Sequence, residues 1–255
     1  MVLMLKLQNV KCGYGNNVIL NNVSFEVKAG EVVCILGANG VGKTTLFKTV
    51  LGHIPILGGK IFLKEKMLNS MSIVDKAKEI GYVPQAHTPP FPFLVRDVAV
   101  MGRTAHLSVF SSPSKKDMYM AEEALESLGI GYLKDKVYTE ISGGERQLVL
   151  IARALVQTPS VLIMDEPTSN LDFGNQMKAV KQVRKLADSG LGVIMTTHYP
   201  DHVYQCADKV TVIKNSKEII FGNVDETMKS ELLSEIYNIK VSVKNIDGKN
   251  ICIPV

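Results

Sequence analysis

The stretch Gly37-Ala38-Asn39-Gly40-Val41-Gly42-Lys43-Thr44 sets glycines, a lysine and a hydroxyl residue at the spacing G-x-x-x-x-G-K-[ST], the pattern of a loop that wraps a polyphosphate. Glycines at 37, 40 and 42 let backbone N–H groups turn inward around an anion. Lys43 would reach the β- and γ-phosphates, and the Thr44 hydroxyl would ligate Mg²⁺. Further along, Asp165 and Glu166 follow the apolar run Val161-Leu162-Ile163-Met164. One carboxylate there can hold Mg²⁺ through water, while the other can orient or deprotonate an attacking water. Taken alone, the pair also reads as a solvated strand end. A third constellation is Ile141-Ser142-Gly143-Gly144-Glu145. Ser142 suits a helix N-cap and Glu145 the third helical position, which together make a capping box. The two glycines also expose N–H groups at a helix start, a second place for an anion in the same chain.

The elements around these residues are in the required order. Val32-Val33-Cys34-Ile35-Leu36 reads as a buried strand, and residues 45–51 carry apolar side chains at helical spacing, so strand, glycine loop and helix succeed one another. The loop therefore offers its anion a helix N-terminus. Residues 3–30 alternate in short strand-like segments around the turn cluster Gly13-Tyr14-Gly15-Asn16-Asn17, which predicts a small antiparallel layer. Pro55 and Gly58-Gly59 break the chain before a short strand at 60–63, and Ile80-Gly81-Tyr82-Val83 is extended up to Pro84-Gln85. From 87 to 156 the periods at 121–128 and 146–155 are helical, so this segment reads as a helical insertion. Strands return at 161–164, 193–196 and 210–213 with a helix over 174–188, an alternation that implies a mainly parallel sheet. Asp247-Gly248 between alternating apolar residues predicts a hairpin in the tail 241–255.

Bulk properties exclude several classes. A chain of 255 residues is long enough for one substantial core with an inserted subdomain. With 29 Lys and Arg against 25 Asp and Glu and no basic cluster, the charge fits a mildly basic solvated surface and not a nucleic-acid groove. Cysteines at 12, 34, 206 and 252 form no C-x-x-C pair, so a reduced cytosolic compartment is expected, without a zinc site or disulfide framework. The start lacks a secretory pattern, and no apolar run reaches the length of a membrane span, so a membrane role would need a partner. His198 and His202 do not read as a metal pair, because Pro200 lies between them and the glutamate of H-E-x-x-H is missing.

The phosphate loop, Gln85, Ser142-Gly143-Gly144, Val161 to Glu166, Ser169-Asn170-Leu171-Asp172 and His198 follow the order and spacing of the ATP-binding cassette (ABC) ATPases, and the resemblance covers nearly residues 3–240. It implies an α/β fold: a RecA-like P-loop core, an N-terminal antiparallel β layer and an inserted helical subdomain. The expected division is a catalytic lobe of residues 1–86 and 157–240, a helical subdomain of 87–156, and an extension over 241–255. The resemblance casts Tyr14 as the aromatic that stacks on adenine and the stretch from Gly37 through Thr45 as the phosphate cradle. It makes Thr44, Gln85 and Asp165 the Mg²⁺ contacts, Glu166 the water-activating carboxylate, and His198 a contact of the γ-phosphate. Lys43, Gln85, Glu166 and His198 form the catalytic set. Ser142, Gly143, Gly144 and Glu145 would cover the ATP of a second copy, since twofold symmetry brings each signature segment over the partner's phosphate loop.

Two residues depart from the common signature L-S-G-G-Q, Ile141 for leucine and Glu145 for glutamine, and the second leaves the nucleotide contact at 145 open. The segments 91–103, 166–176 and 197–202 resemble the ATPases of importers for iron-siderophore, haem, cobalamin and some oxyanions. That resemblance implies a homodimer working with an integral membrane permease at the cytoplasmic face of the membrane, fed indirectly by a substrate-binding protein, with no nucleic acid. A soluble ABC ATPase of cofactor assembly is the alternative. Phe91 and Phe93, in an irregular segment with Pro89, Pro90 and Pro92, could form the permease contact or pack into the helical subdomain.

Overall fold

A computed structural model describes residues 2–85, 91–108, 110–169 and 171–255. Pro89, Pro90 and Asn170 thus lie outside the described residues. The chain forms two compact units, Met1–Met71 with Val183–Val255, and Ser72–Gln182.

The first unit opens with β1 (Leu3–Tyr14) and β2 (Asn17–Lys28), then β3 (Val32–Gly37), α1 (Lys43–Val50), β4 (Gly58–Leu63) and β5 (Lys66–Met67). The second holds α2 (Ile73–Glu79), β6 (Ile80–Val83), α3 (Val95–Val100), α4 (Lys115–Ser127), α5 (Gly143–Val156) and β7 (Val161–Met164). After α6 (Phe173–Asp188) the chain completes the first unit with β8 (Gly192–Thr197), α7 (Pro200–Cys206), β9 (Lys209–Ile213) and β10 (Ile219–Asn223). It ends with α8 (Val224–Thr227), α9 (Ser230–Tyr237), β11 (Val241–Ile246) and β12 (Lys249–Pro254).

In the first unit β2, β1, β4 and β5 make an antiparallel layer. The short segments expected over 3–30 merge into two 12-residue strands. Their alternation breaks in the sequence because the register shifts at bulges, one of them beside Asn9 with φ 49°. The second sheet of this unit places β3 between β8 and β9, parallel to both, with β10 antiparallel on β9. Every residue of β3 and β8 is buried, as expected of parallel strands covered on both faces. Leu46, Phe47 and Val50 form the buried side of α1. Arg184 ties the entries of two strands together: its guanidinium pairs with Asp208 at 2.8 Å and donates to the Gly30 carbonyl at 2.6 Å. Asp208 in turn accepts from the Val32 N–H at 2.8 Å. β11 and β12 pair antiparallel around Asp247-Gly248.

In the second unit β6 and β7 pair in parallel, and α3, α4 and α5 pack around Val95, Val98, Ala121, Leu125 and Val149. A half-buried ion pair, Arg103 Nε to Asp117 Oδ1 at 2.8 Å, joins the segment after α3 to the first turn of α4. The same guanidinium donates to the Val156 carbonyl at the end of α5.

Candidate functional site

The first unit carries the phosphate loop at the carboxyl end of its parallel strands, where open α/β sheets bind ligands. Leu36 lies beside Thr197 and Gly37 beside Ile213, so the loop and the segment starting at His198 leave the sheet at one edge. Two glycines are demanded by this geometry. Gly42, which caps α1, has φ 116°, and a Cβ on it would stand 2.8 Å from Ile19 Cγ2. A Cβ on Gly37 would stand 2.8 Å from the Ile213 carbonyl oxygen. Lys43 is buried at the first position of α1 and its Nζ reaches back across the loop, donating to the carbonyls of Gly37 at 2.8 Å and Ala38 at 3.2 Å. The ammonium therefore sits over the concave side of the loop. Ala38, Asn39 and Gly40 are exposed, and Thr44 is exposed in the first turn of α1. The next residue, Thr45, turns inward and is buried.

Tyr14, half-exposed, ends β1 opposite Asn17. The same hairpin delivers Ile19 and Leu20 against Gly42, so the structure brings the Tyr14 turn and the phosphate loop together. His198 is partly buried after β8, its ring 4.1 Å from that of Tyr199. Pro200 occupies the first turn of α7, where its missing N–H is harmless, so His202 lies on the helix and His198 before it. Burial lowers the His202 imidazole below its ordinary value and keeps it neutral.

The second unit gathers Gln85, Asp165, Glu166 and Ser169. Val83 pairs with Met164, so Pro84-Gln85 and Asp165-Glu166 emerge from the same end of β6 and β7. The Asp165 N–H extends this pairing to the Val83 carbonyl at 2.9 Å. Glu166 takes φ 47°, a left-handed backbone that is rare for a residue other than glycine and tends to persist at functional sites. Ser169 fixes that turn, donating its N–H at 3.0 Å and its hydroxyl at 2.9 Å to the Glu166 carbonyl. The Gln85 amide donates to the Ser169 hydroxyl at 3.0 Å. Gln85 is thus coupled to Glu166 through one side chain. The Asp165 carboxylate is buried, and Tyr82 beside it has its phenol pushed up to about 12 by burial first and the Asp165 charge second.

At the start of α5 the Ser142 hydroxyl accepts from the Glu145 N–H at 3.3 Å, and Glu145 Oε2 accepts from the Ser142 N–H at 2.8 Å. This is the reciprocal cap expected from the sequence. Glu145 Oε1 accepts from the Tyr132 hydroxyl at 2.9 Å. The bonds from Ser142 are the main cause of a Glu145 carboxyl held below the ordinary range, so it is ionised at neutral pH. A cavity of about 260 Å³ opens beside this helix start, lined among others by Tyr132, Ser142, Gly144, Glu145, Asn175 and Lys178. Tyr82, Tyr132 and the linking role of Ser169 were not anticipated: an aromatic in a strand or turn carries no periodic signal that names its partner.

Residues 20–169 match the ABC transporter family. An uncharacterised ABC transporter ATP-binding protein of Haemophilus influenzae is 39% identical, covering 92% of this chain and 90% of that protein. The chain belongs to the ABC transporter family. Its domain is of the kind that binds and hydrolyses ATP. A second protein of the same organism, the molybdate import ATP-binding protein MolC, is 34% identical, with 92% of this chain and 88% of that protein covered. Among solved structures, an inward-facing transporter assigned to the metal-chelate type of ABC transporters superposes with a TM-score of 0.87 at 30% identity, covering 99% of this chain and 98% of that one. The fold is that of an ABC ATPase cassette with a RecA-like P-loop core. No helix among the described residues is long and apolar enough to cross a membrane.

Proposed function

We propose that the chain is the ATP-hydrolysing subunit of an importer for a metal chelate or an oxyanion, acting as a homodimer on the cytoplasmic face of a membrane beneath a separate permease. The observation that carries the hydrolytic reading is Glu166, a carboxylate residue held in a left-handed turn directly after β7 with its carbonyl doubly bonded by Ser169. A carboxylate carried on a backbone fixed in that way is suited to orient water. Lys43 and the N–H groups of residues 37–45 would hold the phosphates, Tyr14 would stack on adenine, and His198 would meet the γ-phosphate after closure. The capped helix start at Ser142, Gly143, Gly144 and Glu145 would cover the ATP bound to a second copy. Residues 1–86 and 157–240 are assigned to the catalytic lobe, 87–156 to the helical subdomain and 241–255 to the extension.

The donor set fits Mg²⁺. Thr44, Gln85 and Asp165 offer a hydroxyl, an amide oxygen and a buried carboxylate, hard oxygen donors of the kind this ion takes. Among the described residues no three His, Cys, Asp or Glu side chains gather as a metal site. Mg²⁺ beside phosphates needs only one or two carboxylates, since water and phosphate oxygens supply the rest. When bound, the ion neutralises charge on the transferring phosphoryl group.

Support for import comes from what the relatives are named for, molybdate in one and a metal chelate in the other. An indirect partner is then a substrate-binding protein. Phe91 is 61% exposed and Phe93 41%, with ring centroids 6.0 Å apart, so the pair is available as an apolar contact patch for the permease. Phe91→Ala is the sharper probe of it, because Arg96 already pairs with Asp135 and a charge reversal there would also break that ion pair. The chain co-expressed with its permease and reconstituted in proteoliposomes is expected to drive ATP-dependent uptake of either a ferric chelate or molybdate. Phe91→Ala should abolish that uptake while the isolated chain keeps its own ATPase rate. Recovery of the chain with soluble scaffold subunits and no permease would contradict the transport reading.

A further inference from the structure

We propose that the end of the chain, α9 with the β11–β12 hairpin, sets the position of the His198 segment, and that Tyr237 is the positioning residue. The inference rests on the proposed contact of His198 with the γ-phosphate. It concerns residues to which the family resemblance gives no role: α9 lies at the end of the stretch that resemblance covers, and the hairpin follows it.

The His198 turn lies between β8 and α7, and the first bond of the helix, from the His202 N–H to the Tyr199 carbonyl at 3.2 Å, begins one residue after His198. Two distant residues bracket it. The Tyr237 hydroxyl, at the last position of α9, donates to the His198 carbonyl at 2.8 Å. The Cys252 N–H, on β12, donates to Asp201 Oδ1 in the first turn of α7 at 2.9 Å. The turn's own bond, Tyr199 N–H to Thr197 Oγ1 at 3.1 Å, lies between these two anchors.

The anchors are themselves braced. The Val241 N–H donates to Ser234 Oγ and the Val243 N–H to Ser230 Oγ, both at 2.9 Å, which pins β11 along α9. Glu235 of α9 pairs at 2.6 Å with Lys214, the residue after β9, whose last residue Ile213 lies beside Gly37. Leu233 is fully buried under the helix. Burial also pushes the Tyr237 phenol well above its ordinary value, so it stays an O–H donor through the neutral range. Together these contacts make α9 a fixed post, and the phenol at its end locates the carbonyl of the residue whose ring must find a phosphate oxygen.

Full-length Tyr237→Phe tests this, because the ring and its packing remain while the hydroxyl goes. The expected result is kcat for ATP hydrolysis lowered about 10-fold, a plausible cost for a small misplacement of a reacting group. KM for ATP should hold within about twofold, since a group acting only in the transition state changes kcat alone. Amide hydrogen exchange should quicken at residues 198–202 and stay unchanged in α1. An unchanged kcat with unchanged exchange at 198–202 overturns the inference. A rise in KM with exchange quickened throughout the first unit also overturns it, because Tyr237 would then be general packing. His198→Ala in the same assay separates the two layers: if it keeps full kcat, the role given to His198 fails, whereas loss of activity there beside an unaffected Tyr237→Phe refutes only the positioning role.

Discussion

Glu166 and Glu145 show how similar side chains take different work from their surroundings. Glu145 spends both carboxylate oxygens locally, one on the Ser142 N–H and one on the Tyr132 hydroxyl. The glutamate that replaces the signature's usual glutamine thus keeps the helix start capped, since either residue can close a capping box. Glu166 has its backbone locked and its neighbours arranged as a chain from Gln85 through Ser169. Removing only the basicity of Glu166 is the informative change. Glu166→Gln is expected to bind ATP as the native chain does and to lower turnover by about 10²- to 10⁴-fold, the usual range for a lost general base. Phosphate release at saturating ATP measures it, and an undiminished rate would remove Glu166 from the mechanism.

Elements in this chain are set by caps and charges as much as by apolar faces, and α4 supplies a test. The Asp117 carboxyl accepts from the Ser114 hydroxyl at 2.6 Å and its N–H at 2.9 Å, and from Arg103 at 2.8 Å. Those bonds, Ser114's first, hold it lowered from 3.8 to about 2. A carboxyl depressed on folding contributes stability above its unfolded titration, near 3.8 here, and that contribution is lost as pH falls through about 2. Urea midpoints of the native chain should therefore fall more steeply between pH 5 and pH 2, a window of the order set by linkage, than those of Asp117→Asn. Parallel curves would show that the pair adds nothing. Caps also explain what the sequence made plain. The Ser142 box, the buried runs of β3, β7 and β8, and the helices at 143–156 and 173–188 were legible because period and punctuation agreed. By contrast α2 has no buried residue and is held at its start by Ser72 alone, so no apolar face announced it. β10 was missed because it pairs with β9 along an edge with only partly buried side chains.

At the scale of the molecule, two helix starts proposed to hold phosphate, at Lys43 in one unit and at Ser142 in the other, are the feature on which the account turns. The motifs of both were legible in the sequence. What holds the residues around them was not, since Tyr132 reaches Glu145 across 13 residues and Tyr237 reaches His198 across 39 through one hydrogen bond each, while Ser169 joins the Glu166 turn to Gln85, 84 residues away. The central claim is that a second copy of the chain completes the ATP site. Ser142→Asp isolates it, because aspartate caps a helix as well as serine does while setting a negative charge where a partner's phosphates would lie. The decisive measurement is the solution mass of Glu166→Gln by light scattering, with and without the added Ser142→Asp change. The account predicts one chain's mass without nucleotide, twice that mass with ATP and Mg²⁺, and return to the single mass when Ser142→Asp is added. A single mass at saturating ATP, or a dimer indifferent to Ser142→Asp, would contradict it.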